Sequence, residues 1–248
     1  MKNLCFRGAG RLAGFIALAS LCIAVTASPA WTAERMLNGR GLLWKVEREG
    51  TQPSWVFGTM HVSDDRLSAY GVGEKQLDRF KPWAALNFLG PLSPEPARSE
   101  PGNVFLDHYL QLVAAERGAR VFALETPKEQ LDVFDGMSER HQVDMLRHAL
   151  RRKSRGKHEF ERMVELYLKS DVAAILGEVM GRKVKCSEFV RVFNRRTLDS
   201  RNKTMVKRMA PRPTEGNALI AVGAAHLPGR VGILNLLAKE GHTVARVY

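Results

Sequence analysis

The residues best suited to chemistry in this sequence are two histidines, each placed three positions after a glycine. The first lies in Gly58-Thr59-Met60-His61 and the second in Gly223-Ala224-Ala225-His226. Neutral imidazole can bind a metal ion, and its ordinary pKa near neutrality lets it act as a general acid or base. His61 and His226 are therefore candidate catalytic residues and candidate metal ligands.

Each of these motifs directly follows a short apolar run that is typical of a buried strand. Ligands of α/β proteins collect at the carboxyl ends of strands, where glycine permits a sharp turn and a close approach to the backbone. A single Gly-x-x-His is frequent by chance and would indicate an ordinary surface or core histidine. Two copies, near opposite ends of the chain, predict two turns that face one pocket.

The first half of the sequence predicts strands, one loop and two helices. Gly41–Arg48 and Ser54–Phe57 flank turn residues and read as a β-hairpin. Pro82–Leu89 is predicted to be a buried strand, and the proline-rich stretch 90–102 a loop. Short helices are expected over Glu74–Phe80 and Phe105–Arg117, and the apolar run Val121–Leu124 places Glu125 at a strand end.

Helical spacing dominates from Lys128 to Met209. Thr126 is the expected N-cap of this block, with Pro127 at the first helical position and Glu129 close behind. Breaks are predicted near Ser138, Gly156, Asp171 and Gly181. The expected buried face comprises Leu131, Phe134, Met145, Leu146, Leu150, Phe160, Val164, Leu166 and Leu168.

Strands return at the end of the chain. Ala218–Val222 is predicted to be a strand, Gly229–Glu240 a helix and Thr243–Val247 a last strand. The fold class is therefore α/β, with a mixed β-sheet formed by the N- and C-terminal parts of the mature chain. An all-helical block is inserted at about residues 128–210, within a single domain that spans residues 34–248.

The N-terminus has the layout of a secretory signal. Lys2, Arg7 and Arg11 precede the uncharged apolar run Leu12–Ala27, and Ala30-Trp31-Thr32-Ala33 offers small residues for cleavage. The run is shorter than the roughly 20 residues of a spanning helix, so a cleaved signal at residues 1–33 is favoured over a membrane anchor. A periplasmic or secreted protein is predicted, without a transmembrane helix after cleavage.

The net charge indicates which partners to expect, and the cysteine content indicates whether a disulfide can form. The formal net charge is +12, which favours contact with an anionic envelope surface. The basic stretch from Arg147 to Lys157 is either a solvated helix end or part of such a contact. No nucleic-acid-binding motif is present, so nucleic acid is not an expected partner. Only Cys186 remains after signal cleavage, which excludes an intramolecular disulfide in the mature chain.

A set of motifs in fixed order makes the chain similar to the TraB/GumN family over about Gly41 to Val247. The motifs are Leu43-Trp44-Lys45-Val46, Phe57-Gly58-Thr59-Met60-His61-Val62, Leu124-Glu125-Thr126, Arg201-Asn202 and Val222-Gly223-Ala224-Ala225-His226-Leu227-Pro228-Gly229. The resemblance implies an α/β core with a helical insertion. It also implies metal-dependent hydrolysis, with a peptidase among the candidates, since the similar Tiki proteases use Gly-x-x-His histidines.

This resemblance assigns roles to further residues. His61 and His226 would hold a divalent metal ion of unknown identity, and the substrate would be a peptide or a small molecule. Glu125 would activate water or add a ligand, or else only stabilise a helix N-terminus. Arg201 and Asn202 would bind substrate, or else occupy a solvated helix face.

One departure from the family pattern affects the expected activity. Family members carry a glutamate at the end of the strand after the first helix, where this sequence has Asn87. An amide can hydrogen-bond but cannot act as a base or an anionic ligand. The alternative prediction is a catalytically degenerate protein that binds a ligand, or an accessory protein associated with the envelope or with polysaccharide.

Overall fold

The computed structural model describes residues 36–60, 81–85, 106–152, 156–180 and 188–248. The predicted signal peptide, the predicted helix 74–80 and the predicted loop 90–102 lie outside these residues. The elements, in chain order, are β1 (Leu43–Glu47), β2 (Ser54–Thr59), α1 (Pro82–Ala85), α2 (Leu106–Glu116), α3 (Pro127–Asp135), α4 (Glu139–Arg152), α5 (Gly156–Leu168), α6 (Val172–Val179), α7 (Glu188–Asn194), a π-helix (Arg195–Asp199), α8 (Ser200–Met209), α9 (Pro211–Glu215), β3 (Leu219–Gly223), a 3-10 turn (Ala224–His226), α10 (Ile233–Lys239) and β4 (Thr243–Arg246).

The four described strands form one mixed sheet in the order β3-β2-β1-β4. β1 pairs antiparallel with both β2 and β4, whereas β2 and β3 pair parallel. The two N-terminal strands thus lie between the two C-terminal strands, with the helices inserted between them in sequence. This arrangement confirms the predicted α/β class and the mixed sheet built from both parts of the chain.

The β1–β2 hairpin forms where the alternation of side chains predicted it. Val46 and Val56 are fully buried on one face of the sheet, as the two-residue period of a strand requires. Gly50 has a φ of +77° in the connecting turn, a conformation that glycine adopts without strain. The Thr51 hydroxyl donates to the Arg48 carbonyl over 2.9 Å and closes the turn.

The core lies between this sheet and the helices α5, α6, α8 and α10. It contains these buried side chains: Leu42, Trp44, Val46, Val56, Leu166, Val172, Ile175, Met205, Val206, Met209, Ile220, Val222, Ala224, Leu227, Ile233, Leu234 and Leu237. Full burial of an aliphatic side chain stabilises a fold by about 1.5–3 kcal/mol. The core therefore anchors α8 and the turn after β3, which carry candidate site residues.

The helical block begins at the predicted cap. Thr126 accepts from the Glu129 backbone N–H, the Glu129 carboxylate accepts from the Thr126 N–H, and Pro127 follows directly. Asp171 caps α6 through the Ala174 N–H, which confirms the predicted break near that residue. Of the residues predicted to be buried, Met145 and Leu166 are, but Leu131, Leu150 and Leu168 are exposed.

A π-helix, Arg195–Asp199, joins α7 to α8. A π-turn adds one residue to a helical turn and so rotates the residues that follow it about the helix axis. Burial raises the pKa of the Asp199 carboxyl, and the nearby Lys203 ammonium opposes that shift. The spacing of apolar residues predicts a helix here but contains no signal for the widened turn.

Two of the predicted strands are wrong for the described residues. Pro82–Ala85 is a short helix, whose first position suits proline because that residue needs no hydrogen-bonded N–H there. The remainder of the predicted strand, including Asn87, lies outside the described residues. Val121–Leu124 is not a strand: Val121 and Phe122 are more than half exposed, and the Leu124 carbonyl accepts from Arg208.

Among the described residues, none of the helices combines the length and the apolar character needed to cross a membrane.

Candidate functional site

The two strands that precede the Gly-x-x-His motifs are neighbours in the sheet and run in the same direction. Gly58 is in register with Val222, and Thr59 with Gly223. Both motifs therefore leave the sheet at the same end, and the glycine of the second motif is offset from that of the first by one residue in the register. His61 itself lies outside the described residues, but the backbone that leads to it ends beside the turn that carries His226.

The two turns also pack against each other. A Cβ added to Gly58 would lie 2.7 Å from Leu227 Cδ1 and 3.2 Å from Ala224 Cα. Both of those residues belong to the turn after β3, so the absence of a side chain at position 58 lets the second motif sit directly on the first. Gly58 is therefore needed for the packing of the two turns against each other, in addition to the role in chain turning that the sequence suggested.

Tyr167 on α5 fixes the first turn from outside the sheet. Its hydroxyl donates to the Gly58 carbonyl over 2.9 Å. Burial, together with the negative charge of Asp107, raises the pKa of Tyr167 above its ordinary value. The phenol thus stays protonated and able to donate through the neutral pH range. Tyr167 was not predicted as a site residue, because nothing in its sequence context separates it from an ordinary helical tyrosine.

His226 is buried at the end of the 3-10 turn, where its imidazole meets α8. Only 8% of His226 is exposed, and Asn202 on α8 is 3% exposed. His226 Nδ1 lies 2.5 Å from Asn202 Oδ1. The Asn202 amide nitrogen donates to the Val231 carbonyl over 2.8 Å. These contacts join the predicted site residues His226 and Asn202, which are far apart in sequence.

The Val231 contact determines which protons the pair carries. A carbonyl can only accept, so the NH₂ group of Asn202 must face Val231 and its oxygen must face His226. His226 Nδ1 is consequently the protonated nitrogen, and in the neutral ring the lone pair lies on Nε2. A histidine whose second nitrogen donates to a neighbouring oxygen has the arrangement usual for metal ligands.

Glu125 and Arg201 form a second pair of predicted site residues. Arg201 Nε and Nη2 donate to the two carboxylate oxygens of Glu125 over 2.8 and 2.7 Å. The Arg201 Nη1 also donates to the Thr197 carbonyl, in the π-helix, over 3.1 Å. The Glu125 side chain is only 8% exposed. Both of its oxygens accept from one guanidinium, so a proton transferred to Glu125 would have to use the lone pairs that these two bonds leave open.

Arg208 lies about two helical turns after Arg201 on α8 and makes a similar contact with the start of α3. It donates to the Leu124 carbonyl over 2.7 Å and to both carboxylate oxygens of Glu129. Hydrogen bonds from Arg208, followed by the one from the Thr126 backbone, lower the pKa of Glu129 to about 2. Arg201 and Arg208 together hold the start of α3 against α8.

The two pairs do not line the same cleft. Glu125 and Arg201 line an open cleft of about 290 Å³, and the lining includes neither Asn202 nor His226. Successive residues of an α-helix point about 100° apart, so Arg201 and Asn202 cannot both face one narrow pocket. Within the part of the chain that the structure describes, the predicted site residues therefore come together in two pairs.

Thr59 is a further candidate that the sequence analysis missed. It is 1% exposed at the end of β2, beside Gly223 in the sheet register. Its hydroxyl has no hydrogen-bond partner among the described residues. Buried hydroxyls normally have one, so this strand end is polar and not simply part of the apolar core. Within the described ranges, no group of three or more His, Cys, Asp or Glu side chains is placed to hold a metal ion.

A family model described as the TraB/PrgY/gumN family matches residues 65–246. The matched segment begins after His61 and includes Glu125, Arg201, Asn202 and His226. No curated protein and no solved structure matches the chain.

Proposed function

Because this chain belongs to the TraB/PrgY/gumN family, we propose that it is a metal-dependent hydrolase with a site at the carboxyl ends of β2 and β3. The observation that carries the proposal is the parallel pairing of these strands, with Gly58 packed against the turn that bears His226. Peptides are the substrate class we favour. Export to the periplasm or the cell exterior remains part of the proposal, since it rests on residues 1–33.

Two histidines at the strand ends would suit a divalent cation. His226 presents a tautomer whose Nε2 carries the lone pair, fixed by Asn202 and Val231. His61, which follows β2, is the second proposed ligand. A bound divalent cation would polarise a substrate carbonyl and lower the pKa of a coordinated water. Imidazole is a common ligand for zinc and other transition metals.

The roles of the remaining residues follow from their contacts. Asn202 orients His226 and does not contact substrate in this arrangement. Arg201 is held by Glu125, but its side chain is 26% exposed and lines the open cleft. We propose that this pair shapes the cleft wall and that Arg201 meets a carboxylate of the substrate there. Thr59 contributes a buried hydroxyl at the strand end.

Metal content tests this proposal directly. Purified wild-type protein should bind about one divalent ion per chain, and His61→Ala and His226→Ala should each lose it. His158→Ala is the matched control, because His158 lies on α5 with its side chain 95% exposed. Equal metal content in all four proteins would contradict the proposed metal site. Peptide hydrolysis should disappear in the same two variants.

A degenerate binding protein is the second candidate. It is supported by Asn87, which stands where the family has a glutamate, and by the engagement of Glu125 with Arg201. An Asn87→Glu variant that gains hydrolysis on a peptide panel would identify a decayed enzyme. Hydrolysis by the wild type, unchanged in that variant, would exclude this second candidate.

A further inference from the structure

A second groove lies between α4 and α7 and shares no lining residue with the site proposed above. Its volume is about 400 Å³. Small-molecule sites usually measure roughly 300–1,000 Å³. One wall is a face of α4 and the other is the first turn of α7. The groove is therefore large enough for an organic ligand.

Three arginines line the α4 wall of the groove. Arg140, Arg147 and Arg151 line the groove together with Asp144. Spacings of three and four residues place all of these side chains on one helix face. At 1.5 Å per residue, Arg147 and Arg151 are about 6 Å apart along the axis and Arg140 and Arg151 about 16 Å. The positive charges thus extend along the groove.

The three arginines of the groove outnumber its two acids, Asp144 on α4 and Glu188 on α7. Asp144 lies 3.5 Å from Arg147, its neighbour on the same helix. Across the described residues, Arg140 and Arg151 take part in no ion pair. This contrasts with Arg201, whose guanidinium is paired with a carboxylate. Two cations near the two ends of the groove are available for an anion.

The α7 wall adds an aromatic face. Phe189 lines the groove and is half-buried. Its ring centroid lies 5.8 Å from that of Phe193 and 6.2 Å from that of His141. Rings at such distances pack in tilted geometry and hold one another in place. A fixed ring beside guanidinium groups suits a ligand with a planar or apolar body and charged ends.

We propose that this groove binds a small elongated organic dianion, whose carboxylate or phosphate groups contact Arg140 and Arg151 and whose planar body lies on Phe189. Guanidinium groups bind carboxylate and phosphate with paired hydrogen bonds, so both anions share this chemistry. The separation of the two arginines selects ligands with charges at both ends over ligands with one charge.

Calorimetric titration of the full chain tests the ligand class. The probes are 2,6-naphthalenedicarboxylate, the bisphosphate of 2,6-naphthalenediol, 2-naphthoate and the uncharged 2,6-naphthalenedimethanol. Both dianions should bind, and the tighter of the two identifies the preferred anionic group. Loss of one charged contact should make 2-naphthoate about tenfold weaker. Equal affinity for the dicarboxylate and the uncharged diol would overturn the proposal.

Variants test the residues. Arg140→Gln and Arg151→Gln should each weaken dicarboxylate binding about tenfold, with an unchanged thermal unfolding midpoint because both side chains are exposed. Phe189→Leu should weaken the naphthyl dianion more than the acyclic dianion suberate. Arg191→Gln, at an exposed arginine of α7 outside the groove, is the matched control and should bind normally. An equal loss in this control would show unspecific charge attraction and refute the site.

Discussion

Asn202 is the residue on which the state of His226 depends. Its amide joins a carbonyl on one side to the imidazole on the other, in surroundings that exclude water. The amide cannot be exchanged for a carboxylate without placing an acceptor against the Val231 carbonyl. The two hydrogen bonds therefore specify both the orientation and the tautomer of the histidine.

We predict that Asn202→Ala destabilises the fold by about 1–3 kcal/mol, because it leaves a buried donor and a buried acceptor unpaired. Loss of the oriented tautomer should also weaken metal binding about 10–100-fold. Urea denaturation and metal titration measure the two effects. Asn235→Ala, which removes only an exposed contact to Arg230, should change neither. Wild-type metal affinity in Asn202→Ala would contradict the positioning role.

Gly58 is the point at which the two motifs touch. Gly58→Ala should destabilise the protein by about 1–3 kcal/mol, because the new methyl group overlaps Leu227 Cδ1. Introducing the same change into a Leu227→Ala background should cost less, since the overlapping atom is then missing. A double-mutant cycle by denaturant unfolding measures this coupling. Strictly additive effects would show that the turns do not pack as described.

At the scale of elements, α8 connects the candidate site to the helical block. One face of it carries the buried residues Asn202, Met205, Val206 and Met209. A neighbouring face carries Arg201 and Arg208, which hold α3. The π-helix before it supplies the Thr197 carbonyl that Arg201 contacts. Any change in the rotation of α8 would therefore move both pairs of candidate residues at once.

The Glu125–Arg201 pair should respond asymmetrically to truncation. Arg201→Ala leaves a carboxylate that is only 8% exposed, and removing one partner of a buried pair costs about 3–5 kcal/mol. Glu125→Ala leaves a guanidinium that water can reach and should cost less. Lys128→Ala breaks an exposed pair with Asp132 and should cost under about 1 kcal/mol. Equal penalties at Arg201 and Glu125, from thermal unfolding, would argue against a buried pair.

Element prediction succeeded where a local signal existed. Thr126, Pro127 and Glu129 mark the start of α3 because the capping interactions are made within four residues. Leu131 and Leu168 were predicted to be buried and are exposed, because helical spacing identifies an apolar face but not whether another element covers it. Val121–Leu124 has strand-forming residues, but Arg208 engages its last carbonyl and no described strand pairs with it. Tertiary contacts of this kind leave no local pattern.

At the scale of the whole molecule, the sheet order was beyond what the sequence could specify. The alternation of β1 and β2 and the apolar run of β3 predicted the strands themselves. The parallel pairing of β2 with β3 depends on contacts between residues more than 160 positions apart. The second occurrence of Gly-x-x-His suggested that the two turns meet. The register between β2 and β3 places the ends of these two strands side by side.

Stability should fall as the pH drops, in part through His242. This residue is 5% exposed at the start of β4. Burial, and then the charge of Arg48, lower its pKa, while Glu240 opposes that shift. The unfolded chain therefore takes up this proton at a higher pH than the folded chain. The stabilisation is complete above the ordinary histidine pKa of about 6.5 and is lost as the pH falls through and below it.

Urea unfolding between pH 8 and pH 5 measures this contribution. The slope from one such histidine is at most about 1.4 kcal/mol per pH unit. His242→Gln should flatten the acid limb relative to wild type, whereas His158→Gln, at an exposed position, should leave it unchanged. An acid limb with the same slope in His242→Gln would exclude this histidine as a source of the pH dependence.

Counting the imidazoles on a bound paramagnetic ion tests the common site most directly. Pulsed electron paramagnetic resonance of the protein loaded with one equivalent of Cu²⁺ distinguishes one coordinated histidine from two. A common site predicts two imidazoles in the wild type and in His158→Ala, and at most one in each of His61→Ala and His226→Ala. A single imidazole in the wild type, or two that persist when His61 or His226 is removed, would contradict it.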